Sequence, residues 1–134
     1  MGSRTGSRIP PIGAIGLQIA DVFYDWSSGG GADTVDIDVL ADQLLLIYYY
    51  RSNHIGPFSS STTWRAARPF INENGTEIAR GGNSVVQQSG NQMTTTLVIG
   101  REPVPGLVTY EFTADLDTTV QTLEKAYVVV VLNK

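Results

Sequence analysis

The chain has 134 residues, 42% hydrophobic and 16% charged, with a formal net charge of −4 and no cysteine. That length lets one domain fold without disulfides or metal, and the lack of thiols leaves no disulfide framework and little basis for a zinc site. An acidic balance, with no basic stripe interleaved with aromatics, argues against a nucleic-acid groove.

Residues 1–8 are polar and Gly/Ser-rich, hold Arg4 and Arg8, and write Gly-Ser-Arg twice. No apolar stretch of signal-peptide type follows, so none is expected. Ile9-Pro10-Pro11-Ile12 stiffens the chain into an extended segment. Residues 1–12 therefore read as an N-terminal arm, and residues 13–134 as one domain.

Leu17 to Trp26 reads as a first strand, followed by the flexible Ser27-Ser28-Gly29-Gly30-Gly31. Val35, Ile37 and Val39 alternate with Asp36 and Asp38, a strand with one wet face. Leu44 to Tyr50 is a third strand, and Arg51 to Thr63 a long polar loop that contains the lone histidine, His54. Trp64 to Ile71 and Glu77 to Arg80 flank Asn74-Gly75, the pair that best supplies the positive φ angles of a type I′ hairpin. Val85-Val86 and Met93 to Gly100 are further strand candidates. Val104-Pro105-Gly106-Leu107 fits a type II turn. After it, Val108, Tyr110, Phe112 and Ala114 alternate with polar residues, and Thr119 to Leu132 holds the last strand or strand pair. Seven to nine short strands separated by turn signals predict an all-β fold, an antiparallel sandwich or barrel.

Two of these segments break the pattern. Leu44 to Tyr50 and Ala126 to Leu132 are apolar at every position. Both are far shorter than the ~20 residues of a membrane helix, and their Val and Tyr content favours strands. Side chains on a strand alternate between faces, so both faces of these strands need cover. In a two-sheet fold one face meets the core and the other usually meets water. The expected cover is a second subunit. Leu45, Ile47, Tyr48, Tyr49, Tyr50, Tyr127, Val129 and Val131 are the candidate interface residues, with the choice of face left open. An inserted loop of the same chain is the alternative cover.

Chemistry is harder to find. His54 stands near Ser59, Ser60 and Ser61, but nothing local supplies the third group that orients a catalytic base. Asp33, Asp36, Asp38 and Asp42 offer oxygen ligands, yet they lack EF-hand spacing, and an amphipathic strand explains Asp36 and Asp38; calcium binding stays open. Gly29-Gly30-Gly31 is followed by no Lys-Ser/Thr and is no phosphate loop. Asn74-Gly75-Thr76 matches a glycosylation sequon that the hairpin already explains. No cofactor, metal or catalytic residue is expected. Charge is unevenly placed: residues 21–42 hold six aspartates and no Lys or Arg, whereas residues 51–101 hold five arginines against two glutamates. Such asymmetry suits contacts between subunits, or is the scatter of a solvated surface.

Asp42-Gln43 running into Leu44–Tyr50, Pro105-Gly106 before Tyr110-Glu111-Phe112-Thr113-Ala114, and the terminal Leu123–Leu132 strand together resemble the trimeric jelly-roll proteins of viruses and phages, with a fold like the tumour-necrosis-factor head. The resemblance spans about residues 15–132 at fold level. It implies a jelly-roll-like sandwich and a non-enzymatic virion protein made in the host cytoplasm. Capsid decoration by a homotrimer that cements the lattice is the first expectation, with the major capsid protein or another virion protein as partner and neither nucleic acid nor membrane involved. Arg4, Arg8, Ile9 and Ile12 of the arm would anchor it. The alternative is a receptor- or glycan-binding fibre head using Tyr24, Trp26 or Trp64 as stacking platforms.

Overall fold

The computed structural model describes residues 17–55, 65–81, 84–86, 92–116 and 120–134. They form nine strands: β1 (Gln18–Ser27), β2 (Asp33–Val39), β3 (Gln43–Ile55), β4 (Arg65–Glu73), β5 (Thr76–Arg80), β6 (Ser84–Val86), β7 (Gln92–Arg101), β8 (Gly106–Leu116) and β9 (Val120–Asn133). The arm of residues 1–12, the residues Ser59–Ser61 and Trp64 lie outside the described residues.

The pairing scheme starts at the hairpin that the sequence marks most clearly. Asn74 and Gly75 have φ angles of 50° and 83°, as a type I′ turn requires. The turn is tied to β8, because Asn74 N–H donates to Thr109 O at 2.8 Å and Thr109 N–H donates to Asn74 Oδ1 at 2.9 Å. From this tip the two halves of the chain run back side by side. β4 pairs with β5 and then β6, β3 with β7, β2 with β8 and β1 with β9, all antiparallel. The long hairpin is rolled so that β3 also pairs with β9, and β4 with β8. Two sheets result, β1-β9-β3-β7 and β2-β8-β4-β5, with β6 beside β4. Counting β5 and β6 as one interrupted strand, this is the order of a jelly roll.

The core lies between the sheets. One sheet contributes Leu45, Ile47, Tyr49, Tyr127, Val129 and Val131, and the other Ile37, Val39, Ile71, Val108, Tyr110 and Phe112. The Phe112 ring stacks on Tyr127 with centroids 4.5 Å apart and meets Tyr49 at 5.3 Å in a tilted pair. These three rings join the sheets by apolar area and favourable quadrupole geometry.

That placement corrects six of the expected interface positions. Leu45, Ile47, Tyr49, Tyr127, Val129 and Val131 are all 7% exposed or less and face the opposite sheet of their own chain. A residue walled in by its own core has no surface to offer a partner. Of the expected set, Tyr48 and Tyr50 point outward, because they have the opposite parity on β3. The polar loop expected from Arg51 also begins later: β3 continues to Ile55, with Arg51, Ser52 and Asn53 buried.

Gly75 and Gly81 should respond to alanine for different reasons. A Cβ on Gly75 would meet open space, so only its positive φ opposes it, and Gly75→Ala should cost about 1–2 kcal/mol. A Cβ on Gly81 would sit 2.9 Å from Pro69 Cγ and 3.1 Å from Thr95 Cγ2. Gly81→Ala should therefore destabilise more, read as a lower urea midpoint with an unchanged slope.

Candidate interaction surface

Parity places one set of the apolar runs in the core, so the other set must lie on the outer face of β1-β9-β3-β7. The register aligns it in rows. Leu44 lies beside Leu132 and Ile19; Leu46 beside Val130, Val22 and Gly100; Tyr48 beside Val128, Tyr24 and Val98; Tyr50 beside Ala126, Trp26 and Thr96. A register shift between Ile19 and Asp21 lets Ile19 and Val22 share this face although they are three apart. Ile19, Val22, Tyr24, Trp26, Leu46, Tyr48 and Val98 are all exposed. No Asp, Glu, Lys or Arg stands in these rows. Four strands and four rows cover on the order of 500 Å² in the sheet plane, near the upper end of what a monomer leaves exposed in one patch.

The outer face of the other sheet is built in the opposite way. Asp36 accepts a hydrogen bond from Thr109 Oγ1 at 2.6 Å, and Asn72 Nδ2 donates to Glu111 at 2.7 Å. Arg80 forks between Glu77 and Asp115 at 2.5 and 2.6 Å and lies 4.4 Å over the Phe70 ring. Such charged, mutually paired groups are at home in water, and the contrast sets the apolar face apart from the rest of the described surface.

Polar groups inside the sandwich collect at two ends. At one end, Arg101 grips Glu73 through Nε and Nη2 at 3.0 and 2.5 Å, and Tyr110 donates its hydroxyl to the same carboxylate at 2.7 Å. Arg101 holds the Glu73 carboxyl below its ordinary range, against the opposing effect of burial. Burial first, and the bond to Glu73 second, push the Tyr110 phenol far up. At the other end, Arg51 is 1% exposed; it donates to Tyr49 Oη at 2.7 Å, Thr122 Oγ1 at 2.6 Å and Asn53 Oδ1 at 3.4 Å. Lys125, its register partner on β9, donates to Gly31 O at 2.7 Å and lies 3.5 Å from Asp33. Both groups tie strand ends together, and Lys125 also holds the loop at Gly30 and Gly31.

Of the aspartates considered for calcium, Asp33 is turned to Lys125 and Asp36 to Thr109. Among the described residues, no three His, Asp or Glu side chains gather as a metal site. His54 sits near the end of β3. Tyr24 and Trp26, expected as stacking platforms, are 75% and 73% exposed and share the apolar face. The expectation did not include Ile19, Val22 and Val98. Val22, Tyr24 and Trp26 do alternate with Phe23 and Asp25 in the sequence, but alternation alone does not say which set faces out.

No known protein family matches the chain, and no curated protein matches it. Among solved structures, it is similar to part of dimeric latent PorU from Porphyromonas gingivalis, with a TM-score of 0.47 and 10% identity over 87% of this chain. The match spans 13% of that protein's length.

The depressed Glu73 carboxyl predicts a pH dependence. A carboxyl whose folded pKa lies below its unfolded value contributes stability above the unfolded value, and that stability is lost as pH falls through the folded one. The loss should begin near pH ~4.3. Urea midpoints measured from pH 7 to pH 3 should fall more steeply for the wild type than for Glu73→Gln, which starts lower.

Proposed function

We propose that the protein is a non-enzymatic virion structural protein. In this reading it assembles as a homotrimer through the outer face of β1-β9-β3-β7 and decorates the capsid lattice as a cement protein. The observation that carries the reading is the uncovered apolar face, which runs across four strands without a charge. A jelly-roll strand order, an architecture used by viral capsid domains among others, supports the virion setting. The partners are further copies of the chain and the major capsid protein or another virion protein. The interface is centred on Leu44, Leu46, Tyr48, Val128, Val130 and Leu132.

The arm is assigned to the particle. Arg4 and Arg8 make bidentate contacts with carboxylates, a geometry that Lys does not reproduce. Ile9 and Ile12 seat in apolar notches, and Pro10 and Pro11 lower the entropy lost on ordering.

Adjacent positions on β9 separate fold from assembly. Val129 is fully buried in the core, so Val129→Lys places an unpaired charge there and should unfold a subunit whose whole stability is about 5–15 kcal/mol. Val130 faces outward beside Leu46 and Val22. Val130→Lys should keep the native near-ultraviolet circular dichroism yet sediment as a monomer, with association weakened by about 2 kcal/mol or more. A wild type that sediments as a monomer at micromolar concentration, or a Val130→Lys protein that still assembles, overturns the reading.

Deleting residues 2–12 should preserve the trimer and its Tm while greatly weakening binding to particles. Arg4→Ala combined with Arg8→Ala should do the same chiefly at low salt, where screening is least. Undiminished decoration by the truncated protein would remove the arm from the function.

A further inference from the structure

The aromatic end of the apolar face differs from the rest of it. Beyond the Trp26–Ala126–Tyr50 row, the surface dips into a shallow, open recess of about 340 Å³ lined by Trp26, Ser27, Ser28, Leu123 and Glu124. A local irregularity makes it. The β3–β9 register shifts between Ser52 and Asn53, which pair with Glu124 and Thr122. Leu123 is thus the extra residue of a bulge, a device that re-aims side chains at strand ends. The small Ala126 leaves the Trp26 indole standing clear, 73% exposed. Glu124 is held in place by the Tyr50 hydroxyl, which donates to its Oε1 at 2.9 Å. The Ser27 hydroxyl, on a residue lining the recess, is buried and makes no hydrogen bond.

A flat indole beside an oriented carboxylate and the exposed Ser28 is not what a flat aliphatic contact requires. It matches the two surfaces of a pyranose ring. The ring's C–H face packs on an aromatic plane by apolar contact, while its edge of hydroxyls needs fixed acceptors. Glu124 keeps a second oxygen to accept from such hydroxyls, and a hydrogen bond to an ionised acceptor is a strong one. The same charge repels an acidic sugar.

We propose that this recess binds one neutral sugar ring of a glycan, stacked on Trp26 and hydrogen-bonded by its hydroxyls to Glu124. The site stands at the rim of the face, so the three rows from Ile19 to Tyr48 can be covered in an assembly while the recess stays open. The inference does not rest on the trimer.

The test uses the full-length protein against a panel of neutral gluco-, manno- and galacto-oligosaccharides, with sialylated counterparts as the acidic arm. At least one neutral member should shift the indole N–H resonance of Trp26, which Trp64→Phe assigns. Trp26→Ala should weaken that binding about tenfold or more, a loss of ~1.4 kcal/mol, with an unchanged thermal transition. Sialylated members should leave the resonance in place, and Glu124→Gln should admit them. Silence across the neutral panel, binding that survives Trp26→Ala, or equal binding of sialylated members by the wild type overturns the proposal. Sedimentation of the same samples reports assembly separately, so the two readings fail independently.

Discussion

The parity of two strands governs this molecule. β3 and β9 lie side by side in the middle of one sheet, and each is apolar on both faces over its central turns. A strand cannot turn both sets of side chains to one side. Folding therefore buries Leu45, Ile47, Tyr49, Tyr127, Val129 and Val131, and in the same act presents Leu44, Leu46, Tyr48, Val128, Val130 and Leu132 outward. The core and the uncovered face are two results of one register. A slip of one residue would exchange them, and the Phe112–Tyr127–Tyr49 ring contacts hold it where it is.

Much of the fold was legible from residue order. Alternation in Val35–Val39 and Val108–Ala114 placed strands that the structure contains, and Asn74-Gly75 marked the turn from which the rolled hairpin grows. That residues 44–50 and 126–132 carry apolar side chains on both faces of their strands was legible as well. Which set of each pair faces inward was not, because parity becomes a direction only when partner strands close the other side. The reach of β3 through Arg51, Ser52 and Asn53 was also hidden. A run of polar residues reads as a loop, and only the bonds of Arg51 to Tyr49 and, across the chain, to Thr122, with the pairing to neighbouring β9, make burial tolerable there. The Trp26 recess depends on a bulge at Leu123, which has no local sequence mark.

The acidic stretch at residues 21–42 gains a physical meaning from the topology. β1 and β2 each pair with one described strand and so end their sheets. An open strand edge is a template for pairing with foreign chains, and charge on the edge strand opposes this. Asp21 and Asp25 lie on the inward face of β1, opposite Val131 and Tyr127, and β1 is further twisted by its irregularity at Ala20. On β2, Asp33 has the inward parity and Asp36 and Asp38 stand on the outward face. The charge asymmetry is thus compatible with guarding two edges of the sandwich on the same side.

Guarded edges beside an unguarded face favour one mode of association over another. Strand addition along β1 or β2 brings a partner backbone against several carboxylates. Contact through the face brings apolar rows together and desolvates no charge. At about 25 cal/mol per Å², covering on the order of 500 Å² supplies a gross term of ~12 kcal/mol per subunit. That is comparable with the roughly 4–15 kcal/mol lost in translational and rotational freedom. Association through a corner of the face would fall short, whereas association through most of it would not. The continuity of the rows from Ile19 to Tyr48 is therefore the property that matters, and a single lysine in their middle acts by dividing them.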